Sequence, residues 1–213
     1  ELEIADFLKN KVKHNDVLNW DWQSYTNIKD GTLTEEQQNV LKVFCESNVV
    51  ILDAPSGTGK TSSLMALIQM IEDYDMTYMM MSPTGKAASR LSEQTGRPAS
   101  TIHRAVLGSQ LGDKDVLIID ESSMLSVDLI SMITYNSELL DHCRLLFVGD
   151  SAQIPSIGLG RVFKDMGESG VIPKCTLTKC FRFEEGGASY ISTLTRQGEF
   201  YLNEEQVSKE EFT

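Results

Sequence analysis

The chain has 213 residues, 41% of them hydrophobic and 23% charged, with a formal net charge of −12; this suits one or two globular domains with a sizeable core and argues against a disordered chain. No apolar run approaches the roughly 18 residues of a membrane span, and the mixed-charge start ELEIADFLKNKVKHN lacks an apolar signal core, so a cytoplasmic protein with no membrane partner is expected. The acidic balance argues against a surface that binds nucleic acid everywhere, and the scattered Cys45, Cys143, Cys175 and Cys180 read as free thiols rather than as a zinc site.

Residues 1–31 are polar and read as a lead-in segment or the tail of a preceding domain, with Trp20 and Trp22 as packing anchors. The first residue is not Met, which suggests an excerpt of a longer chain. In LTEEQQNVLKVF, Thr34 and Gln37 have capping-box spacing. The Gln37 amide either closes that helix or reads an adenine edge, and the two roles are compatible. NVVILD then reads as a strand. SSLMALIQMI places Leu64, Leu67, Ile68 and Ile71 on one helical face. TYMMM, DVLII and RLLFV are further strand candidates, each followed by a helical or loop segment. This βαβα rhythm predicts an α/β fold, a mostly parallel sheet with helices on both faces, over residues 32–183. Beyond it, FEEGGAS reads as a linker, and residues 184–213 carry seven acidic and two basic side chains.

DAPSGTGKT lies between the first of these strands and its helix. Free backbone N–H groups and the helix dipole make that junction an anion site. Gly57 and Gly59 let the backbone curl around phosphate oxygens, Lys60 reaches the β and γ phosphates, and the Thr61 hydroxyl suits Mg²⁺. Pro55, Ser56 and Thr58 complete the loop. The usual first glycine is replaced by Ala54, which fits if its φ is negative. Asp120 and Glu121 end the DVLII strand, where one carboxylate can hold Mg²⁺ through water and the other can orient or deprotonate an attacking water; an ordinary polar strand end is the bland alternative. Gln153, after RLLFVGD, could reach the γ phosphate or simply brace a loop. Arg182 follows another short strand and could stabilise transferred charge, or be a surface arginine. Lys86, Arg90, Arg97, His103 and Arg104 form a small basic island. It is either a nucleic-acid contact or a solvated helix face. Thr84–Gly85, opening a helix after a strand, is a second anion site.

Together LTEEQ, APSGTGKT, MSPTGKAASRL, STIHR, LIIDESSM, VGDSAQIPSIGLG and LTKCFR resemble, in order and spacing, the first motor domain of RecD-like superfamily 1B DNA helicases, the family of the exonuclease V alpha subunit. The resemblance covers roughly residues 33–182 and implies a RecA-like P-loop NTPase fold. It implies ATP and Mg²⁺ as cofactors, with Gln37 reading adenine, Lys60, Thr61, Asp120 and Glu121 as the hydrolytic machinery, Gln153 as γ-phosphate sensor and Arg182 as a catalytic arginine. It also implies contacts to single-stranded DNA from Pro83, Thr84 and Lys86 and from Thr101 and His103. Hydroxyls, amides and lysine suit phosphate contacts that position a strand without reading it. His103 alone reads equally as a structural histidine. DEAD-box helicases, a related superfamily, also carry alanine at the position of Ala54.

The function so implied is ATP-dependent translocation on single-stranded DNA, 5′ to 3′ by resemblance. The implied partners are a second motor domain of the same parent chain and subunits of a nuclease complex. Residues 1–213 alone are expected to bind ATP–Mg²⁺ weakly, hydrolyse it slowly and leave duplex intact. Two rivals remain: a P-loop ATPase that remodels protein, and a nucleotide-binding module without turnover. SPTGKAA argues against the first, and the intact Lys60, Asp120, Glu121 and Gln153 against the second.

Overall fold

The computed structural model describes residues 1–29, 31–108, 111–135, 140–154 and 156–181. In chain order they form α1 (Leu2–Lys13), a 3-10 turn at Trp22–Tyr25, a small antiparallel pair β1 (Asn27–Ile28) and β2 (Gly31–Thr32), α2 (Glu35–Glu46), β3 (Val49–Asp53), α3 (Lys60–Asp73), β4 (Tyr78–Ser82), α4 (Gly85–Thr95), β5 (Ala99–Thr101), α5 (Ile102–Leu107), β6 (Val116–Ile119), a 3-10 turn at Ser122–Met124, α6 (Val127–Thr134), β7 (Arg144–Gly149), α7 (Val162–Glu168) and β8 (Lys174–Thr176).

Strands β3 to β8 make one sheet in the order β5-β4-β6-β7-β3-β8, every pairing parallel. Side chains alternate between its faces, as a period of two requires. Val49, Ile51, Leu117, Ile119, Leu145 and Phe147 face one apolar cluster with residues of α1, α5, α6 and α7. Val50, Leu52, Val116, Ile118, Leu146 and Val148 face the other with residues of α2 and α3. Because both faces are covered, the central strands are almost wholly apolar. The predicted helix face of α3 is inside: Leu64, Leu67, Ile68 and Ile71 are all buried, as are Met80 and Met81 of the methionine run.

The N-terminal residues pack against this body. Ile4, Phe7 and Leu8 of α1, at i, i+3 and i+4, belong to the first cluster. The buried Lys11 donates to the carbonyl of Leu140 at 2.6 Å, and burial pushes its pKa below 10.5. The buried Arg144 guanidinium donates to the carbonyls of Phe44 and Ser47, each at 2.8 Å, and to that of Asp16. Trp20 stacks on Tyr74 with ring centroids 4.4 Å apart and planes within 5°. All four cysteines are free. Burial raises the thiol pKa values of Cys45 and Cys175 to about 11 and of Cys143 to about 12, so these three are packing groups rather than nucleophiles.

The topology sets where chemistry can occur. In a parallel sheet all carboxyl ends lie along one edge, and the connecting loops gather there. Neighbours β6, β7 and β3 therefore bring Asp120, Asp150 and the segment after Asp53 to one place. Backbone contacts tie the ends together: the N–H of Ala54 donates to Gly149 at 2.8 Å, and that of Leu177 to Asp53 at 3.0 Å. The short strand expected before Arg182 is β8; Arg182 itself, and the acidic segment that follows, lie outside the described residues.

Candidate functional site

The loop after β3 wraps the N-terminus of α3. Gly57 and Gly59 both have positive φ, +88° and +81°. A side chain at Gly59 meets two obstacles: the backbone there is strained for it, and a Cβ would lie 2.1 Å from Gln37 Nε2, which must move. Ala54 is not among the positive-φ residues and is buried against the second cluster, so alanine fits without strain.

Gln37 forms the capping box with Thr34: Thr34 N–H donates to Oε1 at 2.9 Å, and Gln37 N–H donates to Thr34 Oγ1 at 3.3 Å. Its buried Nε2 donates to the carbonyls of Thr58 and Gly59, each at 3.3 Å. Both donors and the acceptor of the amide are thus directed at helix cap and phosphate loop. Thr58 turns inward as well, its hydroxyl donating to Pro55 at 2.8 Å.

Outside the loop lies a cleft of about 260 Å³. Its walls include Pro55, Ser56, Gly57, Gly59, Lys60 and Thr61 from the loop, Asp120 and Glu121 from the end of β6, and Gln153 from the turn after β7. Lys60 Nζ lies 2.8 Å from Asp120 Oδ1 and 3.8 Å from Glu121 Oε1. Gln153 Oε1 accepts from the Ser123 hydroxyl at 3.3 Å. Glu121 adopts φ +54°, the left-handed region, as it opens the 3-10 turn. That conformation costs a non-glycine residue about 1 kcal/mol or more and is held by its surroundings. One such constraint is visible: a Cβ on Gly149 would lie 2.9 Å from the backbone N of Ser123, so the turn carrying the acids sits directly on β7.

The remaining predicted residues occupy the neighbouring edge of the sheet. Thr84 caps α4, its Oγ1 accepting from Ala87 N–H at 3.2 Å, and Thr101 caps α5 by accepting from Arg104 N–H at 3.3 Å. Because Ser82 pairs with Thr101, the two helix starts are side by side. Pro83 precedes the first cap; Lys86 and His103 are exposed on the first turns. The basic island is divided. Arg97 binds Glu72 through two bonds of 2.6 and 2.7 Å and so braces α4's end to α3. Arg90, with Ala87 and Gln94, instead walls the cleft.

Three features escape sequence reasoning. Arg90 and Gln94 join the cleft because Ala87, Arg90 and Gln94 share a helical face, a spacing legible once α4's start is known. Phe181 donates its N–H to Gly57 at 2.8 Å and remains half exposed beside Gly59. Glu121's left-handed backbone leaves no sequence signal.

The donor set fits a nucleoside triphosphate with a divalent ion. Two positive-φ glycines open the backbone, a lysine stands in the cleft, and a hydroxyl and two carboxylates flank it. Among the described residues no three His, Cys, Asp or Glu side chains converge to cage a metal alone. Mg²⁺ needs no such cage, since substrate phosphates and water complete its shell beside one or two protein oxygens; Thr61 and Asp120, both in the cleft wall, would supply them.

Comparison with known proteins points the same way. A family model described as an AAA domain matches residues 32–210. The ATP-dependent RecD2 DNA helicase of Deinococcus radiodurans is 33% identical over 173 residues, covering 77% of this chain and 24% of that protein. The RecD subunit of the RecBCD enzyme of Haemophilus influenzae is 25% identical over 209 residues, covering 79% of this chain and 32% of that protein. The chain therefore spans a quarter to a third of the length of these curated relatives. Among solved structures, the Pif1 helicase from Candida albicans superposes with a TM-score of 0.58 at 22% identity, covering 76% of this chain and 43% of that one, a likeness of fold. Among the described residues no helix is long and apolar enough to cross a membrane.

Proposed function

The chain belongs to the AAA domain family, in its RecD-like superfamily 1 helicase branch, and on that footing we propose that it is the ATP-hydrolysing motor domain of a DNA helicase. The observation that carries the reading is the cleft in which Lys60 stands between Asp120 and Glu121, walled in part by the helix that begins at Thr84.

In this reading the loop amides and Lys60 hold the β and γ phosphates of ATP. Thr61 and Asp120 hold Mg²⁺, which supplies charge neutralisation at the transferred phosphoryl group. Glu121 orients and deprotonates the attacking water, and Gln153 contacts the γ phosphate. Arg182 adds positive charge from beyond the described residues. The half-exposed Phe181 ring beside the loop offers an apolar face to the base, while Gln37 stiffens the loop under it. Single-stranded DNA is held by Pro83, Thr84 and Lys86 and by Thr101 and His103, at adjacent helix starts whose amides and hydroxyls suit a phosphate backbone. Mg²⁺, a second motor domain of the parent chain, association with nuclease subunits and a cytoplasmic location belong to the same proposal; the length of the relatives supports the second domain, and the free cysteines a reducing compartment.

The test is ATP turnover by the 213-residue chain with and without oligothymidylate. Slow turnover accelerated by DNA, and lost in a folded Lys60→Ala variant, is expected. Turnover indifferent to DNA would favour a protein-remodelling ATPase, and binding without turnover a non-catalytic module.

A further inference from the structure

Helix α4 has two ends with different neighbours. Its start, at Thr84 and Lys86, is the proposed DNA contact. One and two turns further along, Arg90 and Gln94 line the nucleotide cleft beside Thr61, Asp120 and Glu121. Long helical side chains lean over the turn N-terminal to their own Cα. Arg90 therefore leans toward the sheet's carboxyl edge, where the two acids emerge.

Charge makes Arg90 informative. The cleft wall carries two carboxylates, Asp120 and Glu121, and two cations, Lys60 and Arg90. Both carboxylates lie within ion-pair distance of Lys60. Among the described residues Arg90 forms no ion pair, whereas Arg97, just past the end of α4, is engaged by Glu72. An exposed arginine whose fork of donors is uncommitted among the described residues, in a cleft suited to a multiply charged anion, is suited to phosphate oxygens.

Resting on the functional reading above, we propose that Arg90 is a ligand of the terminal phosphate of the bound nucleotide, supplied in cis by the helix that begins at the DNA contact. Arg90 shares the cleft with Glu121 and Gln153, the groups placed for the water and the γ phosphate. DNA pressing on the start of α4 would thereby displace a phosphate ligand on the same rigid element.

Titration calorimetry of the 213-residue chain tests this with two probes, the magnesium complexes of ADP and of a β,γ-imido analogue of ATP. In Arg90→Gln the triphosphate analogue should bind about ten-fold more weakly, the scale of one charge-assisted hydrogen bond, with ADP affinity unchanged. Arg90→Lys, which keeps the charge but loses the fork, should recover part of the loss. Unchanged affinity for the analogue, or an equal loss for both nucleotides, would overturn the assignment. Those outcomes require a wild-type chain that binds both probes; a wild-type chain that binds neither would sink the functional reading and this inference together.

Discussion

Replacing Gly59 tests how the phosphate loop is held. In Gly59→Ala the new methyl meets two obstacles: a backbone at φ +81° and Gln37 Nε2 only 2.1 Å away. The backbone conformation costs an alanine about 1 kcal/mol. The second obstacle forces Gln37 out, breaking its bonds to Thr58, Gly59 and Thr34, a cap and a buried amide together worth about 2 kcal/mol. Gly59→Ala should therefore destabilise by about 3 kcal/mol and Gln37→Ala by about 2 kcal/mol. The double variant should cost about 3 kcal/mol rather than the sum of about 5, because the amide can be lost only once. With Gln37 truncated, the nearest other side-chain atom is the Phe181 ring at 3.5 Å, an ordinary contact. Urea unfolding followed by far-UV circular dichroism reads all three values. Strict additivity would refute the claim that Gln37 is the strut beneath the loop.

Two further outcomes follow from named contacts. Lys86→Ala should weaken oligothymidylate binding and reduce the slope of log affinity against log salt by about 0.7, the share of one phosphate contact on a single strand; an unchanged slope leaves Lys86 a bystander. The Arg97 guanidinium holds the Glu72 carboxyl below its ordinary 4.5. Its contribution is therefore complete above about pH 4.5 and is lost as pH falls through the depressed value. The pair is partly exposed, so Glu72→Gln should cost only about 0.5 kcal/mol at pH 7. That gap should close in urea midpoints as pH falls through the depressed value, and a gap constant with pH would contradict the pairing.

Much of this molecule is readable from its residues because the sheet is doubly covered. Runs such as NVVIL, DVLII and RLLFV, short, rich in β-branched residues or spaced between helical periods, suit central parallel strands, and the glycine loop between a strand and a helix suggests an anion site. The lead-in is the instructive departure. Residues 1–31 are polar on average, yet Ile4, Phe7 and Leu8 seat α1, and the attachment is completed by Lys11 on the Leu140 carbonyl and Arg144 on the Asp16 carbonyl, both far away in sequence. Such long-range cation–carbonyl bonds leave no local pattern. Strand β5, three residues long, is equally silent; its place comes from pairing with β4. The basic island illustrates the limit on charge arguments. Lys86 and Arg90 sit on α4, Arg97 past its end and His103 on α5, so these four side chains, close in sequence, go to three destinations that only the tertiary neighbours decide.

The proposed function requires that nucleotide and DNA act on one another through this domain. Fluorescence anisotropy of labelled oligothymidylate, titrated with the chain in the presence and absence of the β,γ-imido analogue and Mg²⁺, measures it. The analogue should change DNA affinity, DNA should change analogue affinity by the same factor, and Lys60→Ala should abolish both effects. A DNA affinity indifferent to saturating nucleotide would contradict it.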